Sequence, residues 1–100
     1  MLKLRINPLV VKDLKSIHDY ISEDNEDMAR KIIAEIYDCF EKLQQFPAMG
    51  AELSKRVSYK TDYKYLVHDV YIIIYRIHYD YIEIYRVIDR YQDFIEILFH

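Results

Sequence analysis

One glycine, two prolines, one cysteine and no tryptophan occur among the 100 residues of this chain. A single glycine, Gly50, supplies neither a phosphate-cradling loop nor a dinucleotide fingerprint, each of which needs several. One cysteine, Cys39, excludes an internal disulfide and fits a reducing cytoplasm. Its place on an apolar helical stripe makes it a packing residue rather than a nucleophile. No apolar run approaches the roughly 18 residues of a membrane span. Met1 to Ile6 alternates charge with apolarity, so it reads as neither signal peptide nor anchor. Positive charge is also short: 14 Lys and Arg face 17 Asp and Glu, for a net charge of −3. That balance argues against a bulk nucleic-acid binder. The histidines His18, His68, His78 and His100 lack ligand spacing, so neither a metal nor a cofactor is expected. Without repeats, low-complexity tracts or linkers, residues 1–100 are expected to form a single domain.

What is present is a core. Hydrophobic residues make up 52% and charged residues 31%, a globular balance too apolar for disorder. Three runs rich in β-branched and aromatic residues span Tyr63–His68, Val70–Ile77 and Tyr81–Ile88. The middle run is apolar almost without alternation, so both its faces are expected to be covered. Breaks at His68-Asp69 and at His78-Tyr79-Asp80 predict tight antiparallel connections made without glycine.

Ahead of this meander, Leu2, Leu4 and Ile6 alternate with Lys3 and Arg5, predicting a half-buried edge strand. Asn7-Pro8 is a cap followed by a residue favoured at the first helical position, so a helix should begin there. Leu9 or Val10, Leu14, Ile17 and Ile21 give it an apolar stripe. Ser22 to Asn25 holds several caps for a second helix, whose stripe runs Ala29, Ile32, Ile33, Ile36, Tyr37, Phe40, Leu43 and Phe46 until Pro47 stops it. So short a link predicts an antiparallel helical hairpin lying on one face of the sheet. Ala51 to Thr61 reads as a loop with room for a short strand. Asp89 to Asp93 reads as a polar break, and Phe94 to Phe99 as either a fourth strand or a helical turn.

Chemistry-bearing residues concentrate in the second half. Lys55, Arg56, Lys60 and Lys64 crowd into ten residues with only Asp62 as an acid. Tyrosine, at eleven residues, is the compositional excess. Most tyrosines suit strands without further role, but a tyrosine beside a cation can stack on a base or move a proton. Tyr59, Tyr63, Tyr65, Tyr85 and Tyr91 have such neighbours. Arg76 and Arg86 each follow a tyrosine inside an apolar strand. Each must therefore emerge at a sheet face or pair with an acid such as Glu83, Asp89 or Asp93. If they emerge together with Lys64 and Arg90, the face opposite the hairpin is cationic and rich in tyrosine.

Taken in order, Asp13-Leu14, Ile17, Tyr20-Ile21, then Ala29, Ile32-Ile33, Ile36, then Leu43, Phe46-Pro47, Gly50 resemble one known family. Asp62 to Leu66, Tyr71 to Ile77 and Ile84 to Ile88 followed by Asp93-Phe94 and Ile97-Leu98 continue the match. The chain resembles the RelE/ParE superfamily of type II toxins, often labelled plasmid-stabilisation proteins. The resemblance implies an α+β fold, with an N-terminal strand and helical hairpin packed on a C-terminal antiparallel β-sheet. It implies a cytoplasmic protein that arrests growth, wrapped by a cognate antitoxin, with no membrane partner. A homodimer or a heterotetramer with the antitoxin is compatible with it.

The target it implies is either DNA gyrase or the ribosome with its mRNA. RelE-like members cut mRNA without metal, using cations with a Tyr or His. Here Ile72 and Tyr91-Gln92 stand where such enzymes carry cations, Asp89 stands where they carry a His or Tyr, and Lys64 replaces an arginine. A cleft short of cations stabilises that transition state poorly. The resemblance therefore favours a ParE-like gyrase inhibitor that is not itself an enzyme. The alternatives are a RelE-like ribosome-dependent mRNA endonuclease and a degenerate toxin that only binds its antitoxin. The candidate catalytic residues are Lys64, Arg86, Arg90 and Tyr91. The candidate target-binding residues are Lys55, Arg56, Lys60, Lys64, Arg76, Arg86 and Arg90.

Overall fold

The computed structural model describes residues 1–57 and 60–89. Helix α1, Pro8–Ser22, starts where Asn7-Pro8 predicts: the Asn7 side chain accepts from the Leu9 N–H at 2.9 Å. Helix α2, Glu26–Gln45, is capped by Asn25, which accepts from the Met28 N–H at 3.0 Å. Glu26 and Asp27 sit in its first turn, where negative charge complements the helix dipole. The two helices form the expected hairpin.

Strand β1, Lys3–Ile6, lies at one edge of a five-stranded sheet of order β1-β5-β4-β3-β2. The remaining strands are β2 (Ala51–Glu52), β3 (Lys64–His68), β4 (Tyr71–Ile77) and β5 (Tyr81–Asp89). β3, β4 and β5 form the antiparallel meander, while β1 joins β5 in parallel, which makes the whole sheet mixed. A parallel neighbour needs a crossover in the chain, and the helical hairpin with β2 to β4 provides it. Asp89, expected to open a polar break, is instead still paired with Tyr71 in β5, and the rest of that expected break, residues 90–93, lies outside the described residues. The expected strand or turn over Phe94–Phe99 lies outside the described residues.

β4 is buried on both faces, as its unbroken apolar run predicts. Tyr71, Ile73 and Tyr75 face the hairpin with Val10, Leu14, Ile36, Phe40 and Leu43. Ile72 and Ile74 face the other way, with Leu53 and Ile88. Cys39 is buried among the helix residues of the first cluster and is a free thiol, raised above its ordinary pKa chiefly by burial. Two stripe positions of α2 lie outside this core. Tyr37 is 44% exposed and Phe46, the residue that ends the helix, is 62% exposed. At the N-terminal stripe Val10 rather than Leu9 goes inside.

The β3–β4 connection contains no glycine, and Asp69 takes the positive φ of 57° that the turn requires. Aspartate tolerates this left-handed region better than most residues, because its short polar side chain can bond locally. Asp69→Val is expected to cost about 1–2 kcal/mol through strain, while Asp69→Gly is neutral or stabilising. Urea unfolding of the two variants checks the order.

Candidate functional site

The arginine at position 86 is placed by an irregularity in β5. Ile84 pairs with Tyr75 and Arg86 with Ile74, so Tyr85 is an extra residue in that strand, a β-bulge. A bulge changes the parity of alternation and re-aims side chains. Ile82 and Ile84 face the hairpin, and beyond the bulge it is Val87, not Arg86, that joins them. Arg86 meets Asp13 of α1 instead. Its Nε and Nη2 donate to the two Asp13 oxygens at 2.8 and 2.7 Å, and the Val87 N–H donates to Asp13 at 3.0 Å. The Arg86 and Asp13 side chains are only 20% and 11% exposed. The hydrogen bond that Arg86 donates to Asp13 raises the Arg86 pKa, against the opposing effect of burial. Fork-to-fork geometry in a partly dry site is the strong form of an ion pair.

Asp13 is not among the acids expected beside these arginines. Its signal in the sequence is a carboxylate standing on an apolar stripe, three residues after Val10 and four before Ile17. The other arginine also has a partner that was not foreseen. Arg76 lies over the Tyr63 ring at 4.0 Å, with Nε 3.0 Å from the Asp62 carboxylate, an ion contact lacking hydrogen-bond alignment. Tyr63 in turn packs on Tyr85 at 5.1 Å, and Arg56 lies over Tyr65 at 5.5 Å. These tyrosines cover the second apolar cluster, on the side of the sheet away from the hairpin.

Lys64 does not share that face. It pairs with Tyr75, whose ring is in the hairpin-side core, and residues directly opposite in a ladder point the same way. Lys55 is exposed beside Glu52 at 3.5 Å, and Lys60 is exposed. The target-binding candidates are thus dispersed. Arg56 and Arg76 stack on tyrosines of the open face, Lys64 points to the other side, and Arg86 is held by α1. Arg90 and Tyr91, and the tyrosine at position 59, lie outside the described residues.

A tyrosine that transfers a proton near neutrality needs its pKa lowered, and Tyr63, Tyr71 and Tyr75 shift the other way. Burial raises Tyr63 despite Arg76, raises Tyr75 despite the Gly50 N–H, and raises Tyr71 with help from Asp89 and Asp69. The consequence is a sensitivity to alkali. Above the ordinary tyrosine pKa of about 10 the unfolded chain has released protons that the folded chain retains, so stability falls as pH rises through that range. Thermal melts from pH 8 to 11 should show the decline begin near 10, and Tyr75→Phe should weaken it.

The described residues enclose one further feature, a half-open cleft of about 440 Å³ between α1 and the end of β5. Ser16, Ile17 and Tyr20 form one wall, Tyr71 and Val87 belong to the sheet side, and the Asp13–Arg86 pair closes one end. Among the described residues no group of three or more His, Cys, Asp or Glu is placed to hold a metal ion. No described helix is long and apolar enough to cross a membrane.

The family model for the ParE toxin of type II toxin–antitoxin system, parDE, matches residues 4–94. The chain belongs to the ParE toxin family. Its fold is also that of a chain in a solved structure described as the chromosomal ParDE TA system from P. aeruginosa. That chain is 23% identical, with a TM-score of 0.73 over 89% of this chain and 96% of the other. No curated protein matches the chain. The ParE match covers both helices and, apart from Lys3 at the start of β1, every described strand, so the Asp13–Arg86 pair and the cleft beside it lie within the family domain.

Proposed function

We propose that this ParE-family chain is a toxin that arrests growth by acting on DNA gyrase, that it is not a nuclease, and that a cognate antitoxin holds it inactive. Family membership supports the toxin–antitoxin setting. The state of Arg86 is the observation that carries the choice of target. Cutting a phosphodiester without metal depends on cations aimed at the charge that develops on phosphorus oxygens. Arg86 gives two of its donors to Asp13, and their charges cancel within a largely buried pair. Lys64, the other described catalytic candidate, points to the opposite side of the sheet from Arg76 and the stacked tyrosines. Tyr63, Tyr71 and Tyr75 have raised rather than lowered pKa values, which disfavours these three as proton carriers.

The test is induced expression without antitoxin, with two readouts from the same culture. Growth arrest with altered plasmid supercoiling and intact transcripts is expected. Codon-phased cuts in ribosome-bound mRNA, abolished by Lys64→Ala or Arg90→Ala, would replace gyrase with the ribosome. Unimpaired growth with antitoxin binding retained would leave only a regulatory protein.

A further inference from the structure

Strand β1 ends the sheet, and half of its backbone has no partner among the described residues. The Lys3 and Asn7 N–H groups donate to the Asp80 and Ile84 carbonyls at 3.0 and 2.9 Å, so the odd-numbered residues turn their backbone toward β5. Alternation then aims the N–H and C=O groups of Leu4 and Ile6 out of the sheet, where no described group bonds them. Two residues earlier the same edge is filled. The Leu2 N–H donates to the Gln44 carbonyl at 3.3 Å, and the Gln44 side-chain amide donates to the Leu2 carbonyl at 2.9 Å. The end of α2 thus serves Leu2 as a neighbouring strand would, and goes no further. On the other side Pro8 has no N–H to offer. The open stretch is Leu4 to Ile6.

Unpaired backbone at a sheet edge is a template for another extended chain, and the flanking side chains choose which. On the hairpin side Leu4 and Ile6 are half-buried against the core and can be covered further by an apolar neighbour. On the opposite side Lys3 and Arg5 are exposed. Arg5 lies over the Tyr81 ring at 4.3 Å and has no ion pair among the described residues. The acid across the ladder from it, Glu83, is 3.0 Å from the His78 ring nitrogen instead. Lys3 reaches Asp80 only at 4.0 Å, with both side chains exposed. A second copy of β1 suits this edge poorly. Laid antiparallel along the strand with apolar faces aligned, two copies set Lys3 opposite Arg5, or Arg5 opposite its own copy. The sheet's other edge, β2, is only two residues long, Ala51–Glu52.

We propose that the open edge of β1 receives an extended polypeptide segment in which acidic and apolar residues alternate, adding one strand to the sheet. Its backbone pairs with Leu4 and Ile6, its carboxylates lie beside Lys3 and Arg5, and its apolar side chains cover Leu4 and Ile6. The proposal does not depend on which target the chain arrests.

The full chain is mixed with three synthetic peptides while amide hydrogen exchange is followed residue by residue. One peptide alternates glutamate with valine, the second alternates lysine with valine, and the third is the glutamate peptide N-methylated at its valines. Those valines sit opposite Leu4 and Ile6, so methylation removes the donors that face β1 and leaves charge and apolarity in place. The glutamate peptide at about ten times its Kd should slow exchange at Leu4 and Ile6 about tenfold. The lysine and methylated peptides should leave both amides unprotected. Arg5→Gln, at an exposed position, should weaken the glutamate peptide about two- to fivefold, the size of one cross-strand charge pair. Arg5→Glu should weaken it about tenfold and improve binding of the lysine peptide. Equal binding of the glutamate and lysine peptides, undiminished binding after methylation, or protection confined to other residues would each overturn the proposal. So would protection of Leu4 and Ile6 that rises with protein concentration and needs no peptide, which would assign the edge to a second copy.

Discussion

Gly50→Ala is expected to cost about 3 kcal/mol or to prevent folding, a larger effect than its place in a surface turn suggests. The backbone at Gly50 has φ −78°, so conformational freedom is not the reason. Space is. A Cβ there would sit 2.4 Å from the Tyr75 hydroxyl oxygen and 2.6 Å from the Tyr65 carbonyl oxygen. The backbone oxygen cannot swing away without disturbing β3, and the tyrosine is fully buried. Tyr75 is the lock that makes this closeness useful. From the middle of the core its hydroxyl donates to the Pro47 carbonyl at 2.7 Å and accepts from the Gly50 N–H at 2.9 Å, tying the end of α2 to β4. Tyr75→Phe leaves those two backbone groups without their partner and should cost about 1–3 kcal/mol. Combining both changes removes the clash with the hydroxyl, but the Tyr65 carbonyl and the ring carbon Cε1 of residue 75, 2.7 Å from the added Cβ, remain in the way. The double variant should therefore fall short of the sum of the singles in urea unfolding.

Breaking the Asp13–Arg86 pair comes next in size. Asp13→Ala leaves a largely buried guanidinium unpaired and removes the acceptor of the Val87 N–H, for about 2–4 kcal/mol. Arg86→Ala should cost somewhat less, because Asp13 keeps the Val87 N–H. Asp13→Asn retains an acceptor but loses the charge, so it falls between Asp13→Ala and the parent. Replacing both partners by apolar residues, Asp13→Leu with Arg86→Met, should cost less than Asp13→Ala alone, since no charge is left behind. A double-mutant cycle by urea unfolding measures the coupling. A coupling below about 0.5 kcal/mol would show the pair to be a loose surface contact.

These two predictions fall on the residues that were hardest to foresee. The hairpin was legible because its signals are local: Asn7 beside Pro8, and steps of three and four from Ala29 to Leu43. The meander was legible because β4 has no polar residue between Val70 and Tyr75. Pairing across 73 positions between Asp13 and Arg86 has no local trace. The acids nearest in sequence to Arg86 were the natural expectation, and the bulge at Tyr85 aimed it elsewhere. Parity explains Lys64 as well. One residue of register decides which face a strand side chain joins, and the ladder sets Lys64 with Tyr75 rather than with the stacked tyrosines. Tyr37 and Phe46 fit the periodicity of α2 yet lie at the margins of what the sheet covers, where a stripe runs past its partner surface. The cleft was beyond reach because it exists only where α1 crosses the end of β5.

The proposal of gyrase rather than mRNA as the target rests on an arginine whose charge is already taken by Asp13. Purified gyrase, plasmid DNA and increasing amounts of the folded chain test that most directly. Supercoiling that falls with dose while a ribosome-bound transcript stays whole is the predicted result. Unchanged supercoiling together with codon-phased cuts in the transcript would contradict it.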